Sequence, residues 1–397
     1  MKFKALLLAS CTAAALLLPA AASAQVKMGI ILGFTGPIES LTPDMKNGAE
    51  LAFKEVSDSG KLLGGETISV VTADSTCVDA AAATAAAERL ITSDGVLAIM
   101  GADCSGVTTA IANSVAIPNG VVMVSPSATS PALTTIDDKG LFFRTAPSDA
   151  RQGEVLASIV TGRGYKNVAV TYTNNDYGKG LSESFASAFG KKGGKIAIAA
   201  AHEDGKGDYS AEVGALAAAG AEILAVFGYL DQGGRGIIQT SLDTGAFDKF
   251  IFADGMVGKS LIENIDGDLT GSFGTLPGTD SDGAAMFLEL AKKGGFDGDG
   301  PFRGESYDAA ALIALAMQAA GKADRAGIAA NIMKVANAPG EKIQPGELGK
   351  ALEILAKGGD IDYVGATNVE FTDVGEAAGS YKELEIGDGK FNTLKIH

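Results

Sequence analysis

Short apolar segments of strand length alternate along the chain with segments whose apolar residues recur at helical spacing. The first series predicts strands at 26–32, 68–71, 96–100 and 121–124, and helices at 43–59, 79–91 and 107–116. A second series predicts strands at 141–145, 168–172, 196–200, 223–227 and 250–253, and helices at 149–161, 181–189, 209–219 and 236–242. Helices at 284–293, 307–320 and 326–335, and weakly alternating strands after residue 363, complete the chain.

Strands that are apolar on both faces and alternate with helices are typical of parallel sheets covered by helices. The 397 residues are too many for one small core. The sequence therefore predicts an α/β protein with two parallel sheets that divide near residues 145–148. No low-complexity linker separates the two series, so we expect two lobes joined by short strands.

The composition argues against several classes of function. Lys plus Arg is 32 and Asp plus Glu is 48, and the resulting charge of −16 is opposite to the basic face that nucleic acids require. Only two histidines are present, which excludes a multi-histidine zinc site. No serine-hydrolase, zinc-protease or P-loop motif is found, and we expect His202 to lie in a solvated loop. The sequence thus predicts no enzyme, no metal site and no cofactor.

The first 24 residues have the features of an export signal. Lys2 and Lys4 precede an apolar run at 5–18 that is too short to span a membrane, and small residues at 22–24 form a cleavage site. We predict a signal peptide at 1–24, a periplasmic location and no membrane insertion after cleavage. The alternative is a lipoprotein signal with a lipidated Cys11.

Cleavage after residue 24 leaves two cysteines, Cys77 and Cys104. An even pair in an exported protein suggests one disulfide, and two separate buried thiols are the alternative.

Polar and aromatic residues follow the predicted strands at their carboxyl ends, where parallel sheets bind ligands. Ser105 and Thr129 stand where helices are expected to begin, and the N–H groups there favour a carboxylate ligand. Asp254, after the strand at 250–253, could pair with a ligand ammonium group. The alternative is that these residues only form caps and turns between strands and helices.

Several motifs make the chain resemble the periplasmic leucine/isoleucine/valine-binding family, the type I solute-binding proteins of ABC importers. They are FTGP at 34–37, NGAE at 47–50, SPSATSP at 125–131, FRTAPSD at 143–149, NDYG at 175–178 and SYDAA at 306–310. The resemblance implies two doubly wound parallel-sheet lobes with a three-segment hinge, which close on a ligand. It places 25–146 with 277–368 in the first lobe, and 147–276 with 369–397 in the second.

The resemblance also implies roles for individual residues. Ser105 and Thr129, with the backbone of Ser127 and Ala128, would hold a ligand α-carboxylate. Asp254 would hold the ammonium group. The other expected contacts are Tyr177 and Tyr229, which would close over the ligand, Phe302, which would line its side-chain pocket, and a Cys77–Cys104 disulfide.

Three positions depart from the branched-chain binders. Leu41 stands where those relatives have a tyrosine, Asp103 stands where they have an apolar residue, and Glu305 lies beside the expected pocket wall. The two acids could recognise a polar or cationic ligand side chain, which makes Asp103 a further candidate contact. The alternatives are a solvent-facing loop acid for Asp103 and a helix N-terminal acid for Glu305.

The sequence thus predicts a monomeric, extracytoplasmic protein that captures an amino acid and delivers it to the permease of an ABC transporter. Alternatives are an amine-free ligand, such as an aromatic acid or a short amide, and a ligand-sensing module of the same fold.

Overall fold

The computed structural model describes residues 25–397, so the predicted signal peptide at 1–24 and Cys11 lie outside the described residues. The first sheet contains five strands in the order β2-β1-β3-β4-β5, and every neighbouring pair is parallel. Its strands are β1 (Gln25–Leu32), β2 (Thr67–Asp74), β3 (Ala98–Gly101), β4 (Val122–Ser125) and β5 (Phe142–Arg144). The apolar runs predicted as strands therefore form a parallel sheet.

The second sheet has seven strands in the order β14-β13-β10-β9-β8-β6-β7. They are β6 (Asn167–Thr173), β7 (Lys195–His202), β8 (Ile223–Phe227), β9 (Phe250–Phe252), β10 (Phe273–Pro277), β13 (Tyr381–Gly387) and β14 (Lys390–Ile396). β13 pairs antiparallel with both β10 and β14, unlike the parallel strands from β7 to β10. Asp388 and Gly389 have positive φ, as a two-residue hairpin turn requires, and this hairpin forms the antiparallel edge.

Helices cover the sheets. They are α1 (Thr42–Asp58), α2 (Ala80–Glu88), α3 (Ser105–Ile111), α4 (Asp149–Gly162), α5 (Asp176–Lys191), α6 (Ser210–Ala218), α7 (Gly233–Thr244), α8 (Lys259–Asn264), α9 (Asp282–Lys293), α10 (Arg303–Ala320), α11 (Arg325–Ala336) and α12 (Leu348–Ala356). A two-stranded sheet of β11 (Glu341–Ile343) and β12 (Ile361–Tyr363) lies beside α11 and α12. α10 is buried along nearly its whole length and packs on α1, α11 and α12.

The chain passes between the two sheets three times, through segments that include 145–148, 278–281 and 364–380. The second and third passages bracket α9 to α12, and α10 and α11 pack against strands of the first sheet. The two sheets are therefore joined by three short segments rather than by a single linker.

Several elements differ from the sequence prediction. The strand β10 and the helices α8 and α12 were not predicted, and Val369 and Phe371 lie outside the named strands. Gly274 and Pro277 weaken the strand signal of β10. A Cβ atom at Gly274 would lie 2.3 Å from the Phe252 carbonyl oxygen, so glycine is required for this close approach.

The expectation for His202 was wrong. It ends β7, is buried, and its Nδ1 lies 2.9 Å from Thr171 Oγ1. Burial lowers the pKa of this imidazole to about 4, so the neutral form is favoured.

Within residues 25–397, no helix is both long and apolar enough to cross a membrane. The same residues contain no cluster of three or more His, Cys, Asp or Glu side chains arranged to hold a metal ion.

Candidate ligand-binding cleft

One cavity lies between the two sheets, where the carboxyl ends of their strands face each other. Its wall is formed by seven of the nine predicted contact residues together with four others. The seven are Asp103, Ser105, Ser127, Tyr177, Tyr229, Asp254 and Phe302, and the four are Ile38, Leu41, Cys104 and Gly255. The cavity is about 20 Å³, and a single buried water needs roughly 10–15 Å³. Anything larger than a water or two would therefore require the walls to move apart.

Ala128 and Thr129 do not line this cavity, but lie behind it as fully buried residues. Thr129 does not begin an α-helix as expected. It precedes a single 3₁₀ turn at Pro131–Thr135 that Ser130 caps. Ser105, in contrast, is the first residue of α3. The donor that sequence reasoning assigned to Thr129 is therefore set back from the cavity surface.

Asp254 forms the acidic end of the cavity and is only 2% exposed. Its Oδ1 accepts hydrogen bonds from the Tyr177 hydroxyl at 2.7 Å and from the Gly255 N–H at 3.0 Å. Burial raises the pKa of this carboxyl, and those two hydrogen bonds lower it. No lysine, arginine or histidine of the described residues forms an ion pair with Asp254. The site therefore holds a buried acid that a ligand cation could neutralise.

Two stacked aromatic rings form one side of the cavity. The ring centroids of Tyr177 and Tyr229 are 5.3 Å apart with an interplanar angle of 18°. The Tyr229 hydroxyl accepts a hydrogen bond from Asn175 Nδ2 at 3.2 Å, and its own hydrogen is free to be donated. Both residues belong to the part of the chain that carries the second sheet.

Two serine hydroxyl groups from the part of the chain that carries the first sheet also line the cavity. Ser105 Oγ accepts from the Ser130 N–H at 3.1 Å, which leaves its hydroxyl hydrogen available. Ser127 Oγ donates to the Asp103 carbonyl at 3.0 Å. The N–H groups of Ser127 and Ala128 donate to Ser125 Oγ, at 3.3 and 2.9 Å.

Arg144 belongs to the FRTAPSD motif, and its role is not predicted by the sequence. It is 1% exposed and lies beneath the loop at 125–130. Its guanidinium group donates to the carbonyl oxygens of Ala128 at 3.1 Å and Ser130 at 2.8 Å, and it forms an ion pair with Glu376. Because Glu376 lies in the third passage between the sheets, Arg144 ties the site loop to that passage. A cationic residue within the apolar run predicted as a strand at 141–145 is the sequence signal that could have identified it.

Asp103 lines the cavity, but its carboxylate is already engaged. One oxygen accepts from the Gly33 N–H at 2.6 Å and the other from Ser75 Oγ at 2.9 Å. The residue is 1% exposed, so it is not a solvent-facing loop acid. The neighbouring Cys104 forms the expected disulfide with Cys77, with an S–S distance of 2.06 Å. Asp103 and the disulfide together fasten the loops that follow β1, β2 and β3.

The remaining wall is apolar. Ile38, Leu41 and Phe302 are buried and supply this apolar surface. Glu305 does not reach this cavity. It lines a separate cavity of about 230 Å³ near the second passage, together with Lys382. The structure thus gives the central cavity no free acid besides Asp254.

The two sides of the cleft touch directly beside the cavity. The Asp231 N–H donates to the Pro37 carbonyl at 3.0 Å, and Asp231 Oδ2 accepts from the Ser40 N–H at 2.9 Å. Lys259 also pairs with Asp297 across the cleft at 2.6 Å. These contacts join the loop before α1 and the α9–α10 loop to the turn before α7 and to the start of α8, which belong to the part of the chain that carries the second sheet. The cleft is therefore in a closed arrangement.

Comparisons with known proteins agree with this architecture. The chain matches the periplasmic binding protein family over residues 25–344. It is 35% identical over 221 residues to Leu/Ile/Val-binding protein homolog 3 of Brucella melitensis, an alignment that covers 54% of this chain and 57% of that relative. The leucine-binding protein LivK of Thermotoga maritima has a TM-score of 0.78 and 25% identity, with 94% of this chain and 98% of that chain covered.

The fold is also similar to that of a solute-binding protein of an R. palustris ABC transporter solved with 4-hydroxybenzoate. The TM-score is 0.76 at 21% identity, and the alignment covers 94% of this chain and 97% of that chain. At this identity the likeness concerns the fold alone. The family match covers most of the chain and agrees with the two-sheet architecture and the cleft. The chain therefore belongs to the periplasmic binding protein family, whose members are binding proteins of transporters and not enzymes.

Proposed function

We propose that this protein captures an α-amino acid with an aliphatic side chain in the cleft and delivers it to an ABC importer. In this proposal the lobes comprise 25–146 with 277–368 and 147–276 with 369–397. They open to admit the ligand and close over it. The protein acts in the periplasm as a monomer, after removal of residues 1–24.

The observation that carries the proposal is the Asp254 carboxylate, which is buried in the cavity wall and forms no ion pair with any residue of 25–397. A buried carboxylate is stable only when it is neutralised or fully hydrogen-bonded. The α-ammonium group of an amino acid supplies both a charge and three donors. Ser105 and Tyr229 line the same cavity and have hydroxyl hydrogens available for a carboxylate. One buried acid together with two hydroxyl donors fits a zwitterion.

The preference for a type of ligand side chain follows from the contacts of the other two buried acids, Asp103 and Glu305. Asp103 is held by Gly33 and Ser75, and Glu305 faces another cavity, so neither is free to bind a cationic side chain. Ile38, Leu41 and Phe302 offer only apolar surface. The arrangement therefore favours an aliphatic ligand over arginine or lysine. Leu41 is smaller than the tyrosine expected at its position, which leaves this wall without a hydroxyl group.

The test is isothermal titration calorimetry on protein stripped of ligand by unfolding and refolding. The panel contains L-leucine, L-valine, L-alanine, L-arginine, 4-methylpentanoate (leucine without its amino group) and 4-hydroxybenzoate. We expect an aliphatic amino acid to bind and the amine-free compounds to fail. Asp254→Asn should weaken amino-acid binding by about a hundredfold or more, since removing one partner of a buried charge pair costs roughly 3–5 kcal/mol.

Asp248→Asn, at an exposed position, is the matched control and should bind like the wild type. Binding of 4-hydroxybenzoate or 4-methylpentanoate without amino-acid binding would establish the amine-free alternative. Full affinity of Asp254→Asn for an amino acid would contradict the role of Asp254. Tight binding of L-arginine would instead show that an acid other than Asp254 reaches the ligand side chain.

A further inference from the structure

Glu376 does not line the cleft, but it is bonded to the arginine that holds one of the cleft's loops. It lies in the third passage between the sheets, and its side chain is 17% exposed. Its partner Arg144 is the last residue of β5 and is buried. The Arg144 N–H donates to the Gly375 carbonyl at 3.0 Å, and the Ala377 N–H donates to the Arg144 carbonyl at 3.1 Å. This part of the third passage therefore runs parallel to β5 at the edge of the first sheet.

The guanidinium group of Arg144 has five N–H donors, and all five are used. Nη1 donates to the carbonyl oxygens of Ala128 at 3.1 Å and Ser130 at 2.8 Å. Nη2 donates to the Thr134 hydroxyl at 2.8 Å and to Glu376 Oε2, and Nε donates to the same carboxylate oxygen at 3.2 Å. The Thr134 hydroxyl in turn donates to Glu376 Oε2 at 2.9 Å. Because the guanidinium fork is planar and rigid, Glu376 and Thr134 fix the direction in which Nη1 points.

Ser130 connects Arg144 to the cavity wall. Its carbonyl oxygen accepts from Arg144, and its N–H donates to Ser105 Oγ at 3.1 Å. Ser105 lines the cavity, and this bond leaves its hydroxyl hydrogen available to a ligand. Ser127 lies in the same loop as Ser130 and also lines the cavity. The positions of both serine hydroxyl groups therefore depend on the loop that Arg144 holds.

The carboxylate of Glu376 is what keeps Arg144 in this arrangement. A buried charge is costly unless an opposite charge balances it. Among residues 25–397, Glu376 is the one acid that forms an ion pair with Arg144. Without that charge the guanidinium group would turn toward other acceptors or water, and Nη1 would lose its alignment with the two loop carbonyls.

We propose that Glu376 is a positioning residue for ligand binding, which acts through Arg144 on the loop at 125–130. This series of contacts ends at the Ser105 hydroxyl, which the ligand carboxylate is expected to meet. The inference rests on the proposed function for that last step. It gives the third passage a role in binding, although none of its described residues lines the cavity.

The test is a double-mutant cycle in which the dissociation constant of L-leucine is measured by calorimetry. Glu376→Gln keeps the shape of the side chain and removes its charge, and it is combined with Ser105→Ala. We expect Glu376→Gln to weaken binding by about tenfold in the wild-type background and by about threefold or less in the Ser105→Ala background. The effect shrinks because the hydroxyl group that would be misplaced is already gone. A loss of folding alone would give the same factor in both backgrounds.

Thr134→Val tests the same network without leaving a buried charge unbalanced, and it replaces Glu376→Gln in the cycle if that variant fails to fold. It removes the hydroxyl that accepts from Arg144 and donates to Glu376. Binding of L-leucine should weaken, but less than in Glu376→Gln, and Thr134→Ser should bind like the wild type. Thr135→Val, at the exposed neighbouring position, is the control. Unchanged affinity in both Glu376→Gln and Thr134→Val, or equal factors in the two backgrounds of the cycle, would overturn the inference.

Amide hydrogen exchange of the unliganded proteins tests the inference without a ligand. The N–H groups of Ala128 and Ser130 are bonded to serine hydroxyl oxygens, so their exchange reports on the order of the loop. In Glu376→Gln and Thr134→Val, these two amides should accelerate by a larger factor than the amides of β8, which report on global unfolding. Loop exchange that accelerates no more than β8 exchange would refute the inference. If no amino acid binds but loop exchange accelerates as expected, the proposed function fails and the positioning of the loop by Glu376 stands.

Discussion

Glu305 is a buried acid outside the binding cavity, and its removal should stabilise the protein in a pH-dependent way. The side chain is 5% exposed in the third position of α10 and lines the cavity near Lys382. No other residue donates a hydrogen bond to its carboxylate among residues 25–397. Burial raises the pKa of this carboxyl to about 8, its own N–H lowers it, Asp308 raises it and Lys382 lowers it. We therefore consider Glu305→Gln, which keeps the shape and removes the titration.

The magnitude follows from linkage between protonation and folding. In the unfolded chain the pKa of a glutamate is near 4.5, so between 4.5 and about 8 the folded state holds a proton that the unfolded state has released. Stability must then fall as pH rises, by at most about 1.4 kcal/mol per pH unit. The upper bound over the whole window is about 4–5 kcal/mol, and relaxation or water entry reduces it. Below the unfolded-state pKa the carboxyl group is protonated in both states, so its ionisation does not lower the free energy of unfolding there.

Urea unfolding of unliganded wild type and Glu305→Gln, at intervals from about pH 5 to about pH 9, measures the effect. We expect similar stability near pH 5 and a growing advantage of the variant, reaching a few kcal/mol above about pH 8. Glu289→Gln, at an exposed position on α9, should follow the wild type throughout. Curves for Glu305→Gln and wild type that run parallel across the whole range would show that Glu305 is already ionised, and would refute the reasoning.

Two further variants test the frame of the cleft. Replacing both cysteines (Cys77→Ser with Cys104→Ser) opens a loop of sequence separation 27. The free energy of unfolding, measured by urea titration, should fall by about 3–4 kcal/mol. A loss below about 1 kcal/mol would show that the disulfide adds little stability. Asp231→Ala removes the carboxylate that accepts from the Ser40 N–H and from Ser260 Oγ at 2.6 Å, and should raise the ligand off-rate several-fold in stopped-flow experiments with little change in unliganded stability. An unchanged off-rate would mean that these bonds do not hold the cleft closed.

The alternation of strands and helices was readable because each element has a strong local signal. β1, β3, β4, β6 and β8 are short apolar runs, and their helices have a regular polar face. β10 could not be predicted, because it contains a glycine and a proline, which weaken the local strand signal. Gly274 is required by the close approach of the Phe252 backbone, and Pro277 stands at the end of the strand. The hairpin at the end of the chain carried a usable signal in Asp388-Gly389, a dipeptide that favours a two-residue turn.

The site residues that could be predicted are those that follow the carboxyl ends of strands. Ser105, Ser127, Tyr229 and Asp254 follow strands, so the topology brings them to one cavity. Gln152, whose side-chain amide accepts from the Asp254 N–H, lies on α4 and Asp231 lies in the turn before α7, and no periodic pattern marks either residue. Their roles depend on how the two halves of the chain face each other. Sequence spacing within one half carries no information on that arrangement.

The acids show most clearly why residue type alone does not assign function. Asp103, Asp254 and Glu305 are all buried, and each was a candidate to hold a ligand charge. Asp103 accepts from Gly33 and Ser75 and so stabilises loops, whereas the Glu305 carboxyl group accepts from no other residue in the described part of the chain and favours its neutral form. Asp103 and Asp254 both line the cavity, but donors already occupy both carboxylate oxygens of Asp103, whereas the Tyr177 hydroxyl and the Gly255 N–H both bind Oδ1 of Asp254. The cavity therefore offers one carboxylate to a positively charged ligand group. Since an α-amino acid already places its α-ammonium group there, we expect its side chain to be uncharged.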